Sequence, residues 1–167
     1  MSVREVHSVR ELPGDLREIF DNALVCEFSV ISPSCRPITH PLLPLYDAET
    51  GRLYVTSSVL FSKKVDHIKQ NPKVSLLFSN KYGIRASPPR ALLVKGEAKV
   101  GEEDIHHGWE RLLPQWRKKE PYIDNLVKMR YALPLFWERS IVEVTPTMVY
   151  DWSRGDVDTP PDVYKVS

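Results

Sequence analysis

Leu53-Tyr54-Val55-Thr56-Ser57-Ser58-Val59-Leu60-Phe61-Ser62-Lys63-Lys64 runs from a strand, through three hydroxyl residues and a short apolar loop, into the start of a helix. Ser62 stands where a side chain caps such a helix, and Lys63 and Lys64 fall in its first turn. Cations there meet the positive end of the helix macrodipole, and each costs on the order of 0.3–1 kcal/mol. A bound anion would reverse the sign, because free backbone N–H groups, hydroxyls and ammonium groups would converge on it. Two solvated lysines on a surface helix are the other reading of the same residues.

Outward from this stretch, the helix continues to Gln70 with Val65 and Ile68 inward, and Asn71-Pro72 ends it. Lys73 to Ser79 then alternates, with Val74, Leu76 and Phe78 on one face. Ala91 to Val100 alternates more clearly still, Leu92, Val94, Gly96, Ala98 and Val100 opposing Lys95, Glu97 and Lys99. Upstream, Leu16, Ile19, Phe20 and Ala23 have helical spacing, and Leu24 to Ser32 has the period of a half-buried strand. The next apolar run, Pro37 to Tyr46, carries Pro37, Pro41 and Pro44. Proline cannot donate to a ladder, so this run predicts an edge or bulged strand with backbone groups left for a ligand. Ser140 to Trp152 is again strand, kinked at Thr145-Pro146. Six short strands with tight turns predict a mainly β fold, an antiparallel sheet closing toward a barrel. The single domain, 1–167, carries a helical insertion at about 103–139 and a polar tail from about 155.

The composition narrows the function. The 167 residues hold 23 basic and 22 acidic side chains, a net charge of +1. A generic DNA or RNA binder draws its affinity from a basic excess that this chain lacks. No apolar run approaches the roughly 20 residues of a membrane helix, and Met1 to Glu11 lacks the apolar centre of a signal peptide. Cys26 and Cys35 fit no metal or redox spacing. A cytoplasmic protein with free thiols is expected, although one Cys26–Cys35 bridge is compatible with the sequence.

Leu53 to Asn80, read as strand, Thr-Ser, Ser-Lys-Lys, helix and Asn-Pro-Lys-Val-Ser-Leu-Leu-Phe, resembles the core of the pyridoxamine 5′-phosphate oxidase-like, FMN-binding split-barrel family. Ala91 to Ala98 resembles that family's Val-x-Gly-x-Ala strand, and Val144 to Trp152 its closing Val-x-Pro-x-x-Val-x-x-Trp hairpin. The resemblance implies an antiparallel split β-barrel working as a homodimer, with FMN as cofactor. It implies that Thr56 and Ser57 lie near the phosphate and ribityl chain, and that Ser62, Lys63 and Lys64 clamp the phosphate. Trp152 would reach the partner's flavin or pack as plain core. His40, on the proline-interrupted strand, is the side chain expected to face the substrate cavity.

Departures from the family matter as much. Pyridoxamine phosphate oxidases proper carry an Arg-x-His near the C-terminus, where this chain reads Ser153-Arg154-Gly155-Asp156-Val157-Asp158. The flavin-contacting Gln of the family stands here as Ala91, after Arg90, and bulky aromatics from Trp109 to Trp137 replace the substrate-phosphate residues. The vitamin oxidase activity is therefore not expected. The expectation is an FMN-dependent oxidoreductase acting on a small molecule, with NAD(P)H as possible donor, no nucleic-acid or membrane partner, and no assigned catalytic residue. A deazaflavin (F420)-dependent reductase and a non-enzymatic flavin- or haem-binding module stand as alternatives. His106-His107 shows no third ligand and predicts no metal site. Trp109, Leu112, Leu113 and Trp116 form a packing stripe at helical spacing, placed where it could cover the flavin cavity.

Overall fold

The computed structural model describes residues 3–79 and 90–167, so Asn80, the last residue of the family-like motif, lies outside them. The chain builds β1 (Val3–Val6), α1 (Gly14–Asn22), β2 (Cys26–Ile31), β3 (Pro37–Leu42), β4 (Leu45–Asp47) and β5 (Arg52–Ser58). Then come a 3-10 turn over Val59–Phe61, α2 (Lys63–Gln70), β6 (Lys73–Phe78) and β7 (Ala91–Gly101). The insertion follows as a 3-10 turn over Gly108–Leu112, α3 (Leu113–Lys119), α4 (Ile123–Lys128), a further 3-10 turn and α5 (Pro134–Trp137). It leads directly into the long strand β8 (Arg139–Trp152), and β9 (Asp162–Val166) comes last.

The strands form one sheet in the order β1-β9-β8-β7-β6-β2-β3. Strand β8 holds β7 along one edge throughout, while its other edge is shared. Residues 139–144 of β8 pair with β5, and residues 148–151 pair with β9. Between those halves sits a bulge where Gly96 faces Pro146 and Lys95 faces Met148. Thr147 is the extra residue, and its hydroxyl donates to the Lys95 carbonyl at 3.2 Å. A Cβ on Gly96 would run into the Thr145 carbonyl oxygen, so this close backbone approach admits only glycine.

The predicted strands, the helices over α1 and α2, and the edge position of the proline-rich run all appear. Three features differ from the sequence reading. The run Pro37 to Tyr46 splits at Leu43-Pro44 into β3 and β4, which pair with β2 and β5 respectively. The polar tail ends in a strand, β9, whose Val163 and Tyr164 are buried. That strand pairs parallel with β1, so the sheet is mixed where an antiparallel one was expected. Among the described residues no ladder joins β3 to β4 or β5, and the sheet stays open along that seam.

Two cores follow from this layout. The first fills the inside of the sheet under α1 and α2, with Leu16, Phe20, Phe28, Leu53, Val55, Leu76 and Val142 fully buried. The second belongs to the insertion, where Trp109, Leu112, Ile123 and Trp137 pack on Leu45, Tyr54 and Ile141. Trp109 lies 5.2 Å from the Trp137 ring and 6.3 Å from Trp116, ring centre to ring centre. The expected packing stripe is therefore the insertion's own core. Arg90 donates to both carboxylate oxygens of Asp151, each at 2.7 Å, and to Asp15, fastening β8 to the start of α1. Both cysteines are free, and burial pushes the Cys26 thiol up to about 12, so it stays protonated.

Candidate functional site

The open seam is where the chemistry-bearing residues collect. A cleft of about 540 Å³ is lined by His40, Pro41 and Leu42 of β3, Thr56, Ser57 and Ser58 of β5, residues 60–64, and Phe136 and Arg139. Prolines 37, 41 and 44 explain the seam, because they remove the donors that would zip β3 onto β4 and β5. Strand β5 is buried from Leu53 to Ser58, so its three terminal hydroxyls are carried into the interior of the cleft. A 3-10 turn then reverses the chain, and Ser58 holds it by accepting from the Leu60 N–H at 3.3 Å and donating to the Leu135 carbonyl at 2.9 Å.

Helix phase separates the two lysines. Val65 and Ile68 define the buried face of α2, and Lys64, one residue before Val65 and four before Ile68, shares it. Lys64 is 5 % exposed, whereas Lys63 is exposed at the cleft's edge. The Lys64 ammonium donates to Ser57 Oγ at 3.0 Å and to the Phe61 carbonyl at 2.7 Å. Ser62 occupies the N-cap position of α2 but makes no side-chain cap bond. The expected Ser62 cap is thus corrected. Its backbone is already helical, because the preceding 3-10 turn feeds straight into α2, and the capping serine is Ser58, one turn earlier.

Arg139 is the residue the sequence reading did not single out. It is 9 % exposed, its Nε–H donates to Thr56 Oγ1 at 3.0 Å, and it donates to the Phe136 carbonyl at 3.1 Å. Its guanidinium lies 5.4 Å from the Trp116 ring centre and 5.0 Å from that of Phe136. Burial holds Arg139 down to about 10, and burial followed by the Arg139 charge pulls Lys64 below the ordinary lysine value. Among the described residues neither cation has a carboxylate partner, and no acidic side chain lines the cleft. His40 is pulled below the usual histidine value by burial first and then by the Lys64 and His67 charges, so it is neutral at pH 7. The cleft is cationic, and no carboxylate among the described residues offsets its two buried charges, each of which costs on the order of several kcal/mol to bury.

Of the residues singled out from sequence, His40, Thr56, Ser57, Ser62, Lys63 and Lys64 line this one cleft. Trp152 does not join them. It closes β8 at the end opposite Arg139, and its indole N–H donates to the Thr159 carbonyl at 2.9 Å. His106 and His107 face different carboxylates, Glu138 and Glu110. No helix among the described residues is long and apolar enough to cross a membrane.

Comparison by sequence finds no matching family model and no matching curated protein. Comparison of structures is informative. General Stress Protein 26 from Bacillus anthracis str. Sterne superposes with a TM-score of 0.56 at 18% identity, over 91% of this chain and 96% of that one. A pyridoxamine 5′-phosphate oxidase-related, FMN binding protein from Nostoc punctiforme PCC 73102 gives 0.55 at 14% identity, covering 81% and 80%. This chain has the pyridoxamine 5′-phosphate oxidase-type fold. An F420 Reductase shares that pyridoxamine 5′-phosphate oxidase-type fold too, with a TM-score of 0.57 at 18% identity over 83% of this chain and 98% of the other.

Proposed function

We propose that the chain is an FMN-binding flavoprotein of the split-barrel type and works as a flavin-dependent oxidoreductase on a small molecule. One observation carries the reading: Lys64 and Arg139, both buried and both without a carboxylate partner among the described residues, converge on one cleft. A phosphate monoester, doubly charged near neutral pH, fits that pair, with Lys63 at the rim and the hydroxyls of Thr56, Ser57 and Ser62 as further partners. The flavin, when bound, supplies the hydride or electron chemistry. The protein's share is to clamp the phosphate, order the hydroxyls around it and keep water from the floor. His40, neutral at pH 7, stands on the opposite wall as a hydrogen-bond partner for a ring or a substrate.

A homodimer belongs to the same reading. Among the described residues eleven large hydrophobic side chains are exposed, and all but Val3 and Val157 lie on the insertion or at Leu60 and Phe61 beside the cleft. A patch of that kind on a soluble chain marks an interaction surface. A second subunit is also what would let Trp152 approach a cleft that its own chain's geometry keeps it from. Sedimentation at micromolar concentration tests this: one species of twice 19.2 kDa is expected, and a lone monomer contradicts it.

Deazaflavin is the second reading, supported by the structural similarity to the F420 Reductase. The visible spectrum of the purified protein, before and after reconstitution, separates the cofactors. A bound flavin with two bands in the blue and near ultraviolet is expected. A single deazaflavin band or a Soret band would move the assignment to F420 or haem, and a colourless protein that ignores added FMN contradicts it.

A further inference from the structure

Arg139 reaches the cleft from the insertion, so something must hold the insertion still. Its aromatic core does part of this, and one polar anchor does the rest. The Lys119 ammonium, at the last residue of α3, donates to three backbone carbonyls: Phe20 at 2.6 Å, Ala23 at 2.9 Å and Pro44 at 2.6 Å. The first is a carbonyl of the last turn of α1, which lacks an intrahelical partner and carries the negative end of its dipole, and the second belongs to Ala23, the extended residue that ends the helix. The third precedes β4. Burial brings this ammonium down to about 8, so it is charged at neutral pH and uses all three of its donors.

One helical turn before Lys119, on the same short helix, stands Trp116. Its ring lies against the Arg139 guanidinium, which in turn bonds Thr56 in the cleft. We infer that Lys119 is a positioning residue for the cleft: it locks α3 to the sheet, so that Trp116 holds the Arg139 guanidinium in place for the ligand's anion. Capping of α1 alone would make Lys119 structural, with no specific connection to Arg139. The inference rests on the anion-site reading above for its ligand, but the linkage from Lys119 to Arg139 exists without ligand and is measured without it.

The first measurement uses ligand-free, nitrogen-labelled protein and follows solvent exchange of the Arg139 Nε–H. Lys119→Met is expected to accelerate that exchange about tenfold or more, and an unchanged rate overturns the inference. Where Lys119→Met does not fold, Trp116→Leu breaks the next link and is read in the same way. The second measurement is a double-mutant cycle on FMN affinity. Lys119→Met alone is expected to weaken FMN by about tenfold, and by less than about twofold when Arg139 is already glutamine. Equal losses in both backgrounds overturn the inference, since a general structural defect would add to the loss of Arg139. Wild-type protein that binds no FMN would sink the flavin reading, and Nε–H exchange would still decide the role of Lys119.

Discussion

Replacing Lys64 with methionine and Arg139 with glutamine in one chain is expected to abolish FMN binding without unfolding the protein. Each charge-assisted contact to a phosphate is worth roughly 1.5–3 kcal/mol, so losing both weakens affinity by about a hundredfold to ten-thousandfold. The same change should leave the ligand-free protein equally stable or more so. Both cations have pKa values below their ordinary ones because burial disfavours the charge. Between the folded and unfolded values the unfolded chain therefore binds more protons, and stability rises with pH through that alkaline window. For Arg139 the window opens at about 10 and closes at its higher, ordinary guanidinium value. Below it the full cost of holding the charge is present, and removing the charge relieves that cost. Thermal melts without ligand should show a midpoint unchanged or raised. A drop of several degrees would mean that the cations serve the fold and not a ligand.

Trp109→Ala is expected to have the largest effect on stability. The ring is fully buried, its indole N–H donates to the His106 carbonyl at 3.1 Å, and Trp116 and Trp137 flank it. Truncating such a ring costs about 3–5 kcal/mol, or roughly 6–20 °C in midpoint at about 2–4 °C per kcal/mol for a domain this size. FMN affinity should fall with it, because Trp116 loses its backing and Arg139 is then less well held. Calorimetry and flavin titration on the variant check both parts. A midpoint shift under about 2 °C would show that the aromatic insertion is not a packed unit.

How far the sequence could be read differs residue by residue. The turn from Thr56 to Lys64 was legible because its signals are local: strand alternation, hydroxyls, then helix phase. That phase also distinguishes buried Lys64 from exposed Lys63, since only Lys64 shares the face of Val65 and Ile68. Pro37, Pro41 and Pro44 likewise marked an edge strand with backbone groups left free, and His40 lies on it. Arg139 carried no local signal. It sits between Glu138 and Ser140 at the junction of insertion and strand, and only the pairing of Ser58 with Arg139 brings it beside Thr56. Strand β9 was hidden for a similar reason, being short, preceded by prolines and held by pairing with β8 on one edge and with β1, from the far end of the chain, on the other. Local chemistry was readable, whereas long-range pairing was not.

The central claim is that this cleft recognises a phosphate-bearing flavin. Titration calorimetry of the apoprotein with FMN and with riboflavin, which differ only in the phosphate, tests it most directly. The Lys64–Arg139 pair predicts that FMN binds at least about a hundredfold more tightly than riboflavin, as two charge-assisted contacts require. Equal affinity for the two flavins, or affinity for neither, would contradict it.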